Sequence, residues 1–329
     1  MILRLRGPLV LFSACVLCSC DKPAAPAPPA GKAAESAPVK PAEPIQSPAA
    51  AAKSEPSAPV DIGDFGSDQP LERDALPSRG VIRFGPKDHN HSNQAHWESY
   101  VWDKFVAKRT GDYQVRLTYT LRRASLGMQF RMADLVAKKP LKNSATPRKL
   151  YLGDVHITQT GPLPFSMITA PSEDGGFQLL EVALIPKPAA PTPAPAKDGS
   201  IVLEARHATT WSEVMRYEPQ AHKNCLGYWT QVEDFADWSL PSLPKGNYQI
   251  TVHYGCGNGQ GGSQLELRLG DQALPWKVED TGGFQNWKPL AVGEVRIDSA
   301  SPAVLSLHPR SKAGNAIVDI RKIVLTPKS

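Results

Sequence analysis

The sequence predicts an all-β protein: two tandem antiparallel β-sandwiches behind a proline- and alanine-rich tether. Three observations carry this. Apolar residues alternate with polar ones over short runs, bounded by glycine and proline. No long stretch has the three-to-four spacing of an amphipathic helix. The second half of the chain restates the first: GDYQVRLTY (111–119) matches GNYQITVHY (246–254), LGDVHI (152–157) matches VGEVRI (292–297), and LLEVALIP (179–186) matches IRKIVLTP (320–327). The offset grows from 135 to 141 residues, far above the period of a solenoid, so a whole domain is duplicated.

Residues 1–19 are expected to be removed. Arg4 and Arg6 precede the apolar run PLVLFSACVLCSC, which is too short to span a bilayer and has the form of an export signal. Leu17-Cys18-Ser19-Cys20 resembles a bacterial lipobox. That makes Cys20 the first mature residue, carrying acyl chains of the palmitate type, and places the protein in the cell envelope on a membrane anchor. Cys15 and Cys18 fall in the discarded segment.

Residues 20–77 form the tether. Over 21–60 there are 10 Pro and 13 Ala, too little apolar surface to fold. Extended at about 3.1 Å per residue, such a stretch reaches on the order of 100 Å. The first sandwich is expected over 78–186. A second Pro/Ala linker covers 187–198, and the second sandwich 199–329.

Within the sandwiches, DYQVRLTY places Tyr113, Val115, Leu117 and Tyr119 on one face. NYQITVHY does the same with Tyr248, Ile250, Val252 and Tyr254, and QLELRL with Leu265, Leu267 and Leu269. AIVDIRKIVL (316–325) reads as the closing strand.

Candidate chemistry is sparse. A net charge of +5 with scattered basic residues gives no stripe for nucleic acid. GNGQGG (257–262) fits G-x-G-x-x-G, but a strand pattern follows where a phosphate cradle needs a helix, so it reads as a glycine-rich turn. HNH (89–91) with His96 lacks the spacing of a metal set and reads as a solvated loop. Glu233-Asp234 and Glu279-Asp280 are neighbours, whereas a glycosidase needs two carboxylates facing across a bond, so both pairs read as acidic turns. No nucleophile has a histidine partner, and no enzyme is expected. Cys225 and Cys256 are the other mature cysteines. They can pair in an oxidising compartment, and the sequence leaves paired and free states open.

The second block is the specific one. SIVLEARHATTW, HKNCLGYW, DFADW, GNYQITVHY, CGNGQGGSQLELRLG, VEDTGGFQNW, VGEVRI and AGNAIVDIRKIVL occur in that order. The run resembles family 6 and family 35 carbohydrate-binding modules, which are galactose-binding-like jelly rolls. It is still more similar to the β-sandwich appendages of some bacterial sulfatases and α-L-fucosidases. The resemblance covers 199–327 and is weaker over 79–186.

That resemblance implies a glycan partner, and a site. Trp287, in what the glycines mark as a loop, stacks on a sugar face. Tyr228 and Trp229 form the other wall, one of them at the rim and one in the core. Asn315 binds hydroxyls, and Asn286 offers a second amide beside Trp287. A structural calcium is implied between Glu204 and Asp319, although Arg206 replaces the second acid of the first strand. The first block departs from the pattern, with KPLKNSATPRK in place of EDTGGFQNW and Phe84 in place of Glu204. Its Trp97, Tyr100 and Trp102 are left as either core or a different surface. A structural or protein-interaction module, or an accessory appendage to a separate enzyme, is the alternative reading.

Overall fold

The computed structural model describes residues 76–94, 97–170 and 176–328. The export signal, Cys20, the tether up to residue 75 and His96 lie outside them.

Nine strands build the first sandwich: β1 (Ile82–Phe84), β2 (Asn90–Gln94), β3 (Trp97–Trp102), β4 (Val106–Ala107), β5 (Gly111–Met132), β6 (Leu135–Ile157), β7 (Gly161–Pro162), β8 (Phe165–Thr169) and β9 (Phe177–Lys187). All pairings are antiparallel. β5 and β6 are a single long hairpin that bends through both layers. Residues 112–121 of β5 pair with β9, while 128–131 pair with β8, which continues to β3 and β2. One seven-stranded sheet thus folds over on itself. Tyr113, Val115, Leu117, Tyr119, Phe130 and Met167 fill the space between its halves.

The second sandwich has two separate layers. Its strands are β10 (Ile201–Glu204), β11 (Ala208–Trp211), β12 (Arg216–Glu218), β13 (Cys225–Gly227), β14 (Phe235–Leu240), β15 (Gly246–Cys256), β16 (Gln264–Leu269), β17 (Gln272–Lys277), β18 (Gly283–Ile297), β19 (Ala303–Ser311) and β20 (Asp319–Pro327). One layer runs β12-β13-β20-β15-β18 with β10 on β20, and the other runs β11-β14-β19-β16-β17. Tyr248, Ile250, Val252 and Tyr254 all face the core, as do Leu265, Leu267 and Leu269.

The repeat is visible in register. Tyr113 sits opposite Val155 and Pro186, and Tyr248 sits opposite Val295 and Pro327. Val115 and Ile250 both face a glycine, Gly153 and Gly293, and a bulge follows each. Those glycines have φ of 147° and 144°. A Cβ on either would lie within 3 Å of a leucine methyl, Leu135 or Leu274. The two β-bulges therefore need glycine twice over, for backbone angle and for space. Register also corrects one equivalence. Ile82 faces Leu184 as Ile201 faces Leu325, so Phe84 corresponds to Leu203 and Gly85 to Glu204.

The 187–198 linker does not hold the sandwiches apart. Trp211, fully buried, packs with Ala183 and Ile185 of the first sandwich, and Leu76, Val81 and Phe235 lie against the same cluster. Arg109, also buried, donates across the joint: from Nη1 to Thr210 Oγ1 at 2.6 Å and to the Met215 carbonyl, and from Nη2 to the Thr210 carbonyl at 3.1 Å. Its Nε bonds Tyr113 Oη at 2.8 Å, which holds the guanidinium from its own side. Asp234 accepts from Arg79 at 2.6 Å and from Ser212 Oγ at 2.5 Å. Asp234 is thus a buried part of the joint, and the sequence reading of a solvated acidic turn is corrected.

The HNH segment is corrected too. His91 rests on Tyr100, ring centroids 4.8 Å apart, and His89 packs against Tyr100 and Trp102. Burial lowers the His89 pKa. His89 is partly buried against the sandwich and His91 stays exposed over Tyr100, on strand β2 rather than in a loop.

Candidate functional site

The predicted residues gather at one end of the β12-β13-β20-β15-β18 layer. Alternation along these strands decides which side chains turn outward. Leu226, Ile320 and Tyr254 point into the core. Their neighbours, Cys225 and Gly227, Asp319 and Arg321, and Gly255, therefore share the opposite face.

Gly255 explains the GGFQNW segment. Tyr254 pairs with Lys288 and Cys256 with Gly283, so four residues, 284–287, stand opposite Gly255 alone. A Cβ on Gly255 would lie 2.1 Å from the Phe284 carbonyl oxygen, and one on Gly257 would lie 2.7 Å from the Phe284 ring. The bulge folds down onto those two glycines. The glycines of the segment mark the start of strand β18 and a wide bulge in it, which corrects the loop reading. Phe284 is spent as a lid, whereas Asn286 is exposed and Trp287 partly so. The Arg321 guanidinium lies 5.3 Å from the Trp287 ring centroid.

Tyr228 and Trp229 divide as the sequence reading expects. Tyr228 adopts φ of 60°, in the left-handed region, and the residue is 46% exposed. Trp229 is 0% exposed, part of the core, and its Nε1 has no hydrogen-bond partner. A buried ring cannot stack on a ligand, so Trp229 is withdrawn as a contact residue. The Tyr228 ring carries Arg216 at 3.7 Å and Lys223 at 5.7 Å from its centroid. Tyr228 and Trp287 are not two walls of one cleft. Three strand steps separate β13 from β18, about 14 Å. They are two ends of a row.

Asn315 is exposed on the loop before β20. Its backbone N–H donates to Gln260 Oε1 at 2.6 Å, leaving the amide side chain outward. The Trp229 carbonyl accepts from Ile317 N–H at 2.8 Å, so this loop is tied to the segment bearing Tyr228. The GNGQGG turn thus supports Asn315 through Gln260. Its amides also hold an anion of the chain's own: Gly259 and Gly261 N–H donate to Asp280 at 3.0 and 2.7 Å. These bonds hold the Asp280 pKa below the usual carboxylate range. Glu279 pairs instead with Lys288 at 2.7 Å.

Glu204 and Asp319 are not brought together. Glu204 stands opposite Lys322 and its carboxylate pairs with Arg206 at 2.6 Å. Asp319 lies in a buried group with Glu218 and Cys225, whose ligand-type atoms are within 4.8 Å of one another. Among the described residues this is the one cluster able to hold a cation, and Lys223, 2.6 Å from Glu218, already supplies a positive charge there. Gly227 makes room for Glu218, since a Cβ would sit 2.3 Å from its carboxylate. Burial, then the nearby Glu218 charge, pushes the Asp319 pKa up to about 7. The implied calcium pair is therefore replaced by an ion pair on one side and a crowded acid–thiol group on the other.

Cys225 and Cys256 are both free and buried. Cys225 Sγ meets Asp319 at 3.7 Å, and Cys256 Sγ meets Asp280 at 3.8 Å. Burial and adjacent carboxylates raise both thiols, Cys256 to about 11. A thiolate is strongly disfavoured at either place, and of the two states the sequence leaves open the structure has the free one. A cleft of about 280 Å³ opens between the sandwiches, lined in part by Ile82, Phe105, Lys108 and Tyr113, and none of the predicted residues reaches it.

Comparison with known proteins gives structural likeness of low score. No family model and no curated protein matches the chain. Among solved structures, a family 6 carbohydrate-binding module from the C-terminus of a laminarinase of Zobellia galactanivorans is 23% identical, covers 39% of this chain and 98% of its own, with a TM-score of 0.30. A family 35 carbohydrate-binding module from Cellvibrio japonicus is 11% identical over 40% of this chain and 94% of its own, with a TM-score of 0.33. A xanthan lyase from Paenibacillus is 14% identical over 77% of this chain at a TM-score of 0.31, and the match spans only 25% of the lyase.

Proposed function

We propose that this chain is a non-catalytic, lipid-anchored envelope protein whose C-terminal sandwich binds carbohydrate through Tyr228, Trp287, Asn286 and Asn315. The observation that carries the reading is Tyr228. A tyrosine in left-handed backbone is strained, and here the strain holds its ring in solvent at the end of the sheet. A partly exposed indole and two outward amides lie at the same end. Aromatic faces accept sugar C–H groups, and amides offer paired donors and acceptors to hydroxyls. The contacts are shallow, so each site is weak and repeated engagement supplies affinity.

A glycan array with the full chain tests this. Wild type retains defined glycans, and Trp287→Ala and Tyr228→Ala each weaken retention at least fivefold. Equal retention by all three proteins overturns the site. The envelope address has its own test. Intact mass should show an acyl-modified mature N-terminus at Cys20, lost in Cys20→Ala. One observation favours the alternative of a protein-interaction module: Arg216 already occupies one face of Tyr228. A stoichiometric partner that co-purifies with wild type and both variants alike would support it.

A further inference from the structure

The first sandwich carries a second surface, unrelated to the residues above. It is the outer face of β2-β3-β8-β5-β6. Register lays it out in rows. Ser92 faces Ser99, Ser99 faces Ile168, Ile168 faces Gln129, and Gln129 faces Lys138. One row over, Val101, Ser166, Arg131 and Val136 follow one another in the same way. Their in-between neighbours, Tyr100, Met167, Phe130 and Ala137, are buried, so the named side chains point outward.

Three features set this face apart. Trp97, at its β3 border, is 53% exposed, the most exposed tryptophan among the described residues. Arg131 and Lys138 are exposed at the far border, and among the described residues neither has a carboxylate partner. None of the outward side chains just described is acidic; Glu98, on β3, turns inward to Tyr100. The hairpin segment 122–149 that supplies the far border has eight basic residues and one acidic one. Between the borders lies Gly127, opposite Pro140, and the space a Cβ would meet there is open for 4 Å. The result is a flat trough. It runs two strand steps, about 10 Å, from the indole to Gly127, and about 13 Å along β5 to Arg131.

We propose that this face binds a linear anionic polysaccharide, one bearing carboxylate or sulfate groups. Trp97 stacks on a sugar ring, Ser99, Ser166 and Gln129 meet hydroxyls, and Arg131 and Lys138 take the negative groups two to four sugars along. An arginine fork suits a carboxylate or sulfate in two-point contact. Ser92, Ser99, Ser166 and Gln129 interrupt Val101, Ile168 and Val136, so the face has no continuous apolar patch for a lipid surface and offers hydrogen bonds to a hydrated polymer.

The test uses the unlipidated full chain, Cys20→Ala, in affinity gels containing polygalacturonate, dextran sulfate or neutral dextran. Sedimentation with vesicles containing phosphatidylglycerol runs alongside. Retardation by polygalacturonate, dextran sulfate or both, without retardation by dextran, is expected, and the two gels tell carboxylate from sulfate recognition. Arg131→Glu with Lys138→Glu should weaken it more than tenfold, and Trp97→Ala about tenfold. Gly127→Val, which fills the trough without changing charge or demanding a special backbone angle, should weaken it at least fivefold. Trp287→Ala should leave it unchanged, which separates this face from the C-terminal site. The proposal is overturned by no retardation in either polyanion, by variants that run like wild type, or by vesicle binding that exceeds polyanion binding.

Discussion

Arg109 of the first sandwich reaches Thr210 of the second with two donors, one to the hydroxyl and one to the carbonyl. With Met215 and Tyr113 it makes four hydrogen bonds to neutral oxygens in a buried joint. Removing the side chain strands those acceptors. Arg109→Met should cost about 2–4 kcal/mol in urea denaturation. Calorimetry should resolve two transitions where wild type unfolds in one, because the joint couples the two cores.

Asp319 makes stability depend on pH in an unusual direction. Its folded pKa of about 7 lies above the ordinary carboxylate value. The folded state therefore holds a proton that the unfolded state has released. The associated stability is full below about pH 4 and is lost as pH rises through about 7. Asp319→Asn should gain on wild type between pH 5 and pH 8, by up to about 4 kcal/mol at the upper end. A stability difference independent of pH would show that Asp319 is ionised throughout.

His308 acts with the opposite sign. It stacks on Phe235 at 4.7 Å, and burial with Arg268 and Arg310 nearby lowers its pKa to about 4. Its folded pKa is depressed, so stability from the neutral ring is present above about pH 6.5 and is lost as pH falls toward 4. His308→Phe should flatten the acid limb of the stability curve. Imidazole titration followed by NMR should give a midpoint well below that of a free histidine.

Gly153 and Gly293 should respond alike. Each has a left-handed φ and a leucine methyl within 3 Å of the missing Cβ. Gly153→Ala and Gly293→Ala should each cost about 1–3 kcal/mol, from strain and overpacking together. A neutral outcome at one site alone would mean that the matching register of the two bulges hides different tolerances.

Much of the architecture was legible because period-two alternation is a local signal. Tyr113 through Tyr119 and Tyr248 through Tyr254 announce their buried faces, and the repeats announce a duplicated domain, although the shared register of the two cores shows only in the strand pairing. The site was legible only in part. Tyr228 and Trp229 could be told apart as rim and core, but which was which depended on the left-handed turn at Tyr228. The bulge at 284–287 was hidden because its cause, Gly255, lies some thirty residues away on β15. Long-range partners were hidden for the same reason. Asp234 read as a turn until Arg79 met it, and Asp319 read as a calcium ligand until Glu218 and Cys225 closed around it. Core and surface are both open for Trp97 in the sequence alone, because the face it shares with Gln129 and Lys138 joins β3 to strands far along the chain.

The bent hairpin has a mechanical consequence. β5 enters one half of the first sandwich and leaves in the other without a break in the chain. The two halves are therefore laced by continuous backbone and cannot be prised apart like the covers of a book. A pull on this sandwich must shear β5 against its flanking strands, loading many ladder bonds at once instead of unzipping them one by one.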